Sequence, residues 1–523
     1  MGKKTDLLLG IDIGTTGCKA VFYDIDGNVA AKGYRDYEIL SVHDGWAEMD
    51  PNVWWDAVCV STRDALATIK NHVHVPGICV SCANAIIPVD RDGSHLYRAV
   101  MQIDRRSQTE TSRAAQIFPQ EEFLRITGNY VRTGGFSPSV ILWFKEHYNE
   151  IYNKTFKFLA PSGYIVRKMT GSFTIDYSRA STAALMDMRS LSWSQEICAA
   201  LDIDTGKLPE LFPQETSGGK LLSEAAGELG LEPDIPVAVG LMDSTAAMIG
   251  CGCIGENGAS LVLGTVSRLC CPMRTPNFRK SFLNAYFLKE VPCLVMAPTN
   301  GGGVSFRWFA NSFADQGESP AETMSMNNYE VFDYKASQIQ AGCGGLLYLP
   351  YILGERSPVW DPNARGVFFG INPSHTKAHF VRSILEGVGH ATLQNLRLIE
   401  NELHSCFNDI IITGGGSKSS IWCEIMANML NKRIVRLGHA DCETKGSAFV
   451  AGLMSGVYSS YKDVERQIQI KDVFHPDNTI TESYLPLHGI YESLYCHLKD
   501  AFSSLAKITQ PAAKMLSNVA MSQ

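Results

Sequence analysis

Two segments of this chain combine small residues, hydroxyls and a flanking apolar run in the way that a phosphate group requires. They are Asp12-Ile13-Gly14-Thr15-Thr16 and Leu263-Gly264-Thr265-Val266-Ser267, about half of the 523-residue chain apart. Small residues let backbone N–H groups approach phosphate oxygens, and threonine hydroxyls add donors. The first follows Leu7-Leu8-Leu9-Gly10-Ile11 and precedes Lys19-Ala20-Val21-Phe22-Tyr23 and an Asp26-Gly27 turn, a spacing that predicts a β-hairpin. The second repeats the arrangement. Neither fits the Walker pattern, because no Gly-Lys-Ser/Thr follows a glycine at the required distance. Taken alone, either loop is an ordinary Gly-Thr hairpin turn; their repetition, with the motifs below, implies two similar half-molecules closed around the phosphates of one nucleotide.

A third candidate is Asp243. It follows the strand-like run Ile235-Pro236-Val237-Ala238-Val239 and opens Ser244-Thr245-Ala246-Ala247, a small-residue helix start. An acid so placed stands at the edge of a site or simply caps its helix, and the residues alone allow both. Asn300-Gly301-Gly302-Gly303 is a glycine turn opening a helix, and Ile410-Ile411-Ile412-Thr413-Gly414-Gly415-Gly416 is a buried strand ending in another. A glycine turn at a helix N-terminus suits a nucleotide. A G-x-G-x-x-G reading of the latter fails for want of a third glycine at the right spacing.

These residues need elements to hold them. Asp50 caps and Pro51 begins a helix expected to run to about Lys70. Val75 to Asp90 reads as strand and turn, and residues 105–171 as largely helical. Asp176-Tyr177-Ser178-Arg179-Ala180-Ser181 reads as a polar turn. Val381, Leu385, Val388, Leu396 and Ile399 follow a helical period, with Thr376 as the candidate cap. The residues from Ala506 onward are small and polar and are expected to fray. The repeat, rather than any linker, puts the domain boundary near residue 250, giving domains 1–250 and 251–523.

Composition bounds the partners. The chain carries 46 basic and 54 acidic residues, a net −8, with no long basic run, so nucleic acid has little electrostatic support as a partner. The 15 cysteines are odd in number and scattered, which suits reduced thiols and a cytoplasmic setting. Cys79 and Cys82 form a lone C-x-x-C inside a strand-like run and read as buried structural thiols. Neither a signal peptide nor a membrane segment is expected.

In order and spacing, Asp12 to Thr16, Asp50-Pro51 with Trp54-Trp55, Asp243, Gly264-Thr265, Gly354-Glu355-Arg356-Ser357-Pro358 and Thr413 to Gly416 make a set over residues 7–500 that resembles the FGGY carbohydrate kinases. The xylulokinase and gluconate kinase branch is the most similar, notably at Trp54-Trp55, Gly354 to Pro358 and Asn363-Ala364-Arg365-Gly366. The resemblance implies an α/β fold of two actin-like (ribonuclease H-like) domains with a central nucleotide and sugar cleft. The first domain would hold the sugar and first phosphate loop, and the second would bind ATP. It implies ATP and Mg²⁺ as cofactors and phosphoryl transfer to a sugar hydroxyl. Asp243 matches the catalytic base and also a metal and substrate contact, and Asp12 matches the acid near the metal. Thr15, Thr16 and Lys19 of the first loop, Gly264 and Thr265 of the second, Gly303, and the adenosine turn Gly414-Gly415-Gly416 are the expected ATP contacts.

The sugar pocket departs from the family pattern. Xylulokinases have Gln-Met-His-Gly where this chain has Cys82-Ala83-Asn84-Ala85, and Trp-Asn-Asp where it has Gln102-Ile103-Asp104. Ala83, Asn84, Asp104 and Arg106 are therefore the expected sugar residues, with the aromatic wall and histidine missing. Asn84 offers both a donor and an acceptor to a polyol, while Arg105 or Arg106 could pair with a carboxylate and keeps a sugar acid open. The expected substrate is a ketopentose such as xylulose. Gluconate and a small glycerol- or erythritol-like polyol are the alternatives, and an actin-like ATP-binding scaffold without sugar phosphorylation is the rival class. Expected partners are the sugar and ATP, with the homodimer as the candidate assembly and no nucleic acid or membrane.

Overall fold

The computed structural model describes residues 5–70, 72–313, 328–439 and 441–520. In chain order, the elements that position the site are strands β1 (Thr5–Ile13), β2 (Gly17–Asp24) and β3 (Val29–Asp36), helix α1 (Pro51–Ala67) and strand β4 (Ile78–Cys82). Helices α2 (Gln108–Ile117), α3 (Pro138–His147) and α4 (Tyr177–Ser181) follow, then strands β5 (Pro236–Ala238) and β6 (Leu241–Met242) and helix α5 (Asp243–Gly250). Next come β7 (Ser260–Leu263), β8 (Ser267–Met273), α6 (Gly303–Ser312), α7 (Lys377–Leu403) and β9 (Asp409–Thr413). The chain ends through α8 (Ser420–Leu430), β10 (Arg433–Leu437), α9 (Cys442–Met454), β11 (Ile470–Phe474) and α10 (Asn478–Ala520).

The chain forms two compact units. The first takes residues 1–256 and then regains 272–295 and 441–469; the second takes 257–271, 296–440 and 470–523. These contact units differ from a single cut near residue 250 in that α9 returns to the first unit. That return has a packing cause, since α9 lies against β1 and α5.

In the first unit, β1 and β2 form the antiparallel hairpin expected from the first Gly-Thr loop, with Asp12 opposite Lys19. Strand β4 runs parallel to β1, aligning Ser81 with Asp12 and Cys82 with Ile13. Strand β6 runs parallel to β4, with Met242 beside Cys82. Three parallel strands therefore end at one edge of the sheet, where ligands of open α/β sheets bind. Helix α1 starts as expected, with the Asp50 side chain accepting from Asn52 N, and stops at Ala67, three residues before the expected end. Residues 105–171 hold five helices, with a strand at Lys157–Leu159 and a non-helical stretch at 128–137 between them. Cys79 and Cys82 are buried free thiols.

Helices α5 and α9 approach so closely that side chains are excluded. A Cβ on Gly446 would fall 1.9 Å from Ala246 O, and one on Gly250 would fall 2.0 Å from Cys442 O. Both obstacles are backbone, so a methyl group must part the helices. Gly446→Ala is expected to cost about 1–3 kcal/mol or more, as overpacked cores do, read as a lower unfolding midpoint. Gly227→Ala, which meets nothing within 4 Å, is the control that should leave the midpoint unmoved or raised.

The second unit repeats the theme. β7 and β8 make the second hairpin, β9 runs parallel to β7, β10 runs parallel to β9, and β11 closes the edge antiparallel. Thr376 caps α7 in a reciprocal box with His379. The end of the chain, expected to fray from Ala506, continues as helix α10 to Ala520. Between α7 and α10, His390 Nδ1 and His488 Nδ1 lie 3.3 Å apart in full burial.

Burial, His488 and Arg397 push the His390 pKa down to about 3, and burial and Arg397 push that of His488 down to about 4, with Glu492 carboxylate 3.4 Å from His488 Nε2. An unfolded histidine titrates near 6.5, so on acidification the unfolded chain takes up protons first. The stability these neutral rings contribute is complete above about pH 6.5 and is lost as pH falls toward their folded pKa values. The expected loss approaches about 1.4 kcal/mol per pH unit for each histidine. A midpoint measured from pH 7.5 down to 5 should fall more steeply in the wild type than in His390→Gln.

Candidate active site

The converging strand ends of the first unit place acids side by side. Asp12, the last but one residue of β1, is buried, and its Oδ1 accepts from Ser81 Oγ at 2.7 Å. Burial, then the charge of Glu443, then that of Asp243, push its carboxyl up to about 8, against the opposing effects of Ser81 and Lys19. Asp243 opens α5 and is partly exposed; its Oδ1 accepts from Ser244 N at 2.6 Å and Ser244 Oγ at 2.9 Å. No described residue donates to its Oδ2. Lys19 Nζ contacts Asp441 Oδ1 at 2.9 Å, and burial notwithstanding, Asp441 and Glu443 hold its pKa up.

Asp243 is held from behind. Met242 N donates to Ser178 Oγ at 3.0 Å, and that hydroxyl donates to the buried Asp176. The segment expected to be a polar turn is thus the short helix α4, capped by Asp176. It fixes the strand end from which Asp243 projects.

Asp441 and Glu443 escaped the sequence reading. They lie about 430 residues from the loop they join, at the start of α9. The signal was present: Glu443-Thr444-Lys445-Gly446-Ser447-Ala448 opens a helix with an acid followed by small residues, the same form as Asp243-Ser244-Thr245-Ala246-Ala247. Small residues are what the α5–α9 crossing demands.

In the first loop, Thr15 is partly exposed and Thr16 exposed. Tyr37 braces the loop through its hydroxyl to Gly14 O, 2.7 Å, and its N–H to Thr16 O, 3.1 Å. Ala83 N donates to Ile13 O at 2.9 Å, which puts Ala83 and Asn84 directly beyond the strand ends. Asn84 Oδ1 accepts from Phe136 N at 3.0 Å, and among the described residues none accepts from its amide nitrogen.

Asp104 and Arg106, expected to face the sugar, instead bind each other. Arg106 Nε and Nη2 donate to the two Asp104 oxygens at 2.9 and 2.7 Å, and Nη1 donates to Glu48 Oε1 at 2.8 Å. Asp104 also accepts from Ala47 N at 2.6 Å and Arg106 N at 2.9 Å. The guanidinium lies over the Trp46 ring at 3.8 Å and Trp143 at 4.9 Å. With side chains only 1% and 0% exposed, the pair is a structural cluster. The physical reason is Glu48, whose burial demands a cation.

In the second unit the glycine turns meet. Gly303 N donates to Gly264 O at 2.8 Å and Val304 N to Thr265 O at 2.9 Å, which docks the start of α6 on the second Gly-Thr loop. Gly414 has φ +85°, and a Cβ there would fall 2.8 Å from Leu263 O. Only glycine suits that combination of backbone and space. Gly264, Thr265, Gly303 and Gly414 to Gly416 therefore surround one turn, with Gly415 meeting nothing within 4 Å.

Two family models match the chain: the N-terminal domain of the FGGY family of carbohydrate kinases over residues 7–250, and the C-terminal domain of that family over 258–455. A xylulose kinase of Staphylococcus epidermidis is 29% identical over 511 residues, covering 96% of this chain and 99% of the relative. A gluconokinase of Bacillus subtilis is 26% identical over 510 residues, covering 95% and 98%. Among solved structures, gluconate kinase from Lactobacillus acidophilus superposes with TM-score 0.87 at 25% identity, covering 96% of this chain and all of that one. Xylulose kinase from Rhodospirillum rubrum superposes with TM-score 0.86 at 26% identity, covering 95% and 100%.

Proposed function

This chain belongs to the FGGY family of carbohydrate kinases and is a sugar phosphotransferase, and we propose that it moves the γ-phosphoryl of MgATP to a hydroxyl of a ketopentose such as xylulose. The observation that carries the reading is the acid set at the strand ends of the first unit: Asp243 with an open carboxylate oxygen, beside Asp12 and Glu443.

Asp243 Oδ2 accepts the proton of the acceptor hydroxyl and orients its lone pair, while Ser244 holds the other oxygen. In a loose phosphoryl-transfer transition state the alignment and charge matching that a carboxylate supplies matter more than its basicity. Asp12, with Asp243 and Glu443 near it, fits a hard divalent cation, since such cations take carboxylate oxygens and offset the burial and repulsion that together raise the Asp12 carboxyl. Mg²⁺ bound there would neutralise phosphate charge. Thr15, Thr16 and Lys19 are proposed to donate to phosphate oxygens, with Lys19 steadied by Asp441. The loops around Gly264, Gly303 and Gly414 to Gly416 are proposed to seat the nucleotide, whose phosphates their backbone N–H groups would meet. Ala83 and Asn84 border the acceptor.

The cation offered to a sugar acid is the specific point favouring a neutral sugar. Arg106 is already neutralised by Asp104 and Glu48, and Arg105 is exposed. No cation of that pair is therefore left at a buried position for an aldonate. The test is ADP release with xylulose, gluconate and glycerol or erythritol, followed by mass spectrometry of the product. Release stimulated by the ketopentose is the expected result. Stimulation only by gluconate would move the substrate to the sugar acids, stimulation only by glycerol or erythritol would move it to the polyols, and ATP hydrolysis indifferent to all of them would favour the scaffold class.

A further inference from the structure

A second cluster of donors lies on the helical part of the first unit, apart from the acids at the strand ends. Glu110 stands in the first turn of α2, and Glu146 and His147 form the end of α3. One donor atom from each lies within 4.8 Å of the others. All three face a pocket of about 560 Å³ whose other walls include Trp46, Arg106 and Trp143. We propose that Glu110, Glu146 and His147 bind one divalent transition cation of the zinc type, clamping α2 to α3.

Three observations bear on this. His147 Nε2 and Glu110 Oε1 are hydrogen-bonded at 3.0 Å, a few tenths of an ångström short of the about 3.3–3.6 Å between two ligands of one tetrahedral zinc ion. The Glu110 side chain is 2% exposed, and its other oxygen, Oε2, is buried with no hydrogen-bond partner. A buried carboxylate oxygen without a donor is costly, and a cation between the three groups would satisfy it. One imidazole and two carboxylates, with the pocket supplying water at the remaining positions, form an N/O donor set of the kind that zinc accepts.

The neighbouring positive charges do not close the site. Arg106 is matched by Asp104 and Glu48. Arg113 pairs with Glu146 on the exposed side, where both side chains are more than a third accessible, and water can replace it. Glu110 and His147 lie on different helices, 37 positions apart in sequence, so no short motif announces them.

The test uses the full chain, treated with EDTA, desalted and titrated calorimetrically with ZnCl₂ alone. The wild type is expected to show one site that His147→Asn and Glu110→Gln each weaken by about 100-fold or more. His147 is half exposed, so its variant folds even if Glu110→Gln does not. Because the chain holds 15 cysteines, Co²⁺ is the second probe: the absorption lost in His147→Asn should be of the weak visible type given by N/O ligands, without thiolate charge transfer. Sugar-stimulated ADP release in Mg²⁺ is expected to be unchanged in His147→Asn, which separates this site from the transfer chemistry. Equal zinc affinity and stoichiometry in wild type and His147→Asn would overturn the proposal, as would a thiolate signature for the site that is lost.

Discussion

Asp243→Asn is expected to lower turnover by about 10²- to 10⁴-fold, the range that a positioned general base contributes, while ATP still binds. The substitution is sharp because Asn keeps one carbonyl oxygen for the Ser244 N–H and hydroxyl that Asp243 Oδ1 now accepts from. Helix α5 therefore keeps its start. What changes is the other oxygen, which becomes an NH₂ group that donates where a base must accept. Sugar-dependent ADP release measures the first half of the expectation, and calorimetric ATP binding the second. Unchanged turnover would remove Asp243 from the mechanism; lost ATP binding would mean that it acts through the nucleotide.

Arg106→Leu is expected to destabilise the first unit by about 3–5 kcal/mol, because removing one partner strands buried charges. Glu48 and Asp104 would remain in the interior with 3% and 0% side-chain exposure. Tyr97, 3.1 Å from Glu48 Oε1, and the half-exposed Arg98 cannot replace a guanidinium that serves both acids. Arg106→Lys should recover little, since an ammonium lacks the two-pronged fork that Asp104 occupies. The unfolding midpoint in denaturant reads the effect. Adding Glu48→Gln and Asp104→Asn to Arg106→Leu should restore part of the loss, because the stranded charges go; no restoration would assign the loss to the packing of Trp46 and Trp143 on the guanidinium instead.

The two Gly-Thr hairpins, the helix start at Asp50-Pro51 and the glycine turns were legible because each is a local event. Their residues sit within a few positions of one another, and glycine, proline and capping side chains act at that range. The same holds for Asp243, whose strand and helix flank it directly. The acid pair Asp441 and Glu443 was not legible, since its meaning depends on β1 being its neighbour. Asp104 and Arg106 were read as open to a ligand for the same reason. Nothing near them in sequence shows that Glu48, more than fifty positions earlier, already claims the arginine. Polar residues whose partners are remote look available, and burial is what distinguishes them.

The return of α9 to the first unit also sets a timetable for biosynthesis. Residues 1–256 leave the ribosome long before 441–469, yet the helix that packs on β1 and α5 comes from the later segment. At about 5–20 residues per second, the wait from residue 256 to residue 454 is roughly 10–40 s. Through that interval the faces of β1 and α5 that α9 will cover, including Gly10, Ala246 and Gly250, are bare. A nascent chain stalled at residue 300 should therefore be cut by protease within the first unit, and one stalled beyond residue 500 should resist. The segment that completes this half of the enzyme is made only after most of the second unit, so premature termination before residue 441 would leave both halves unfinished.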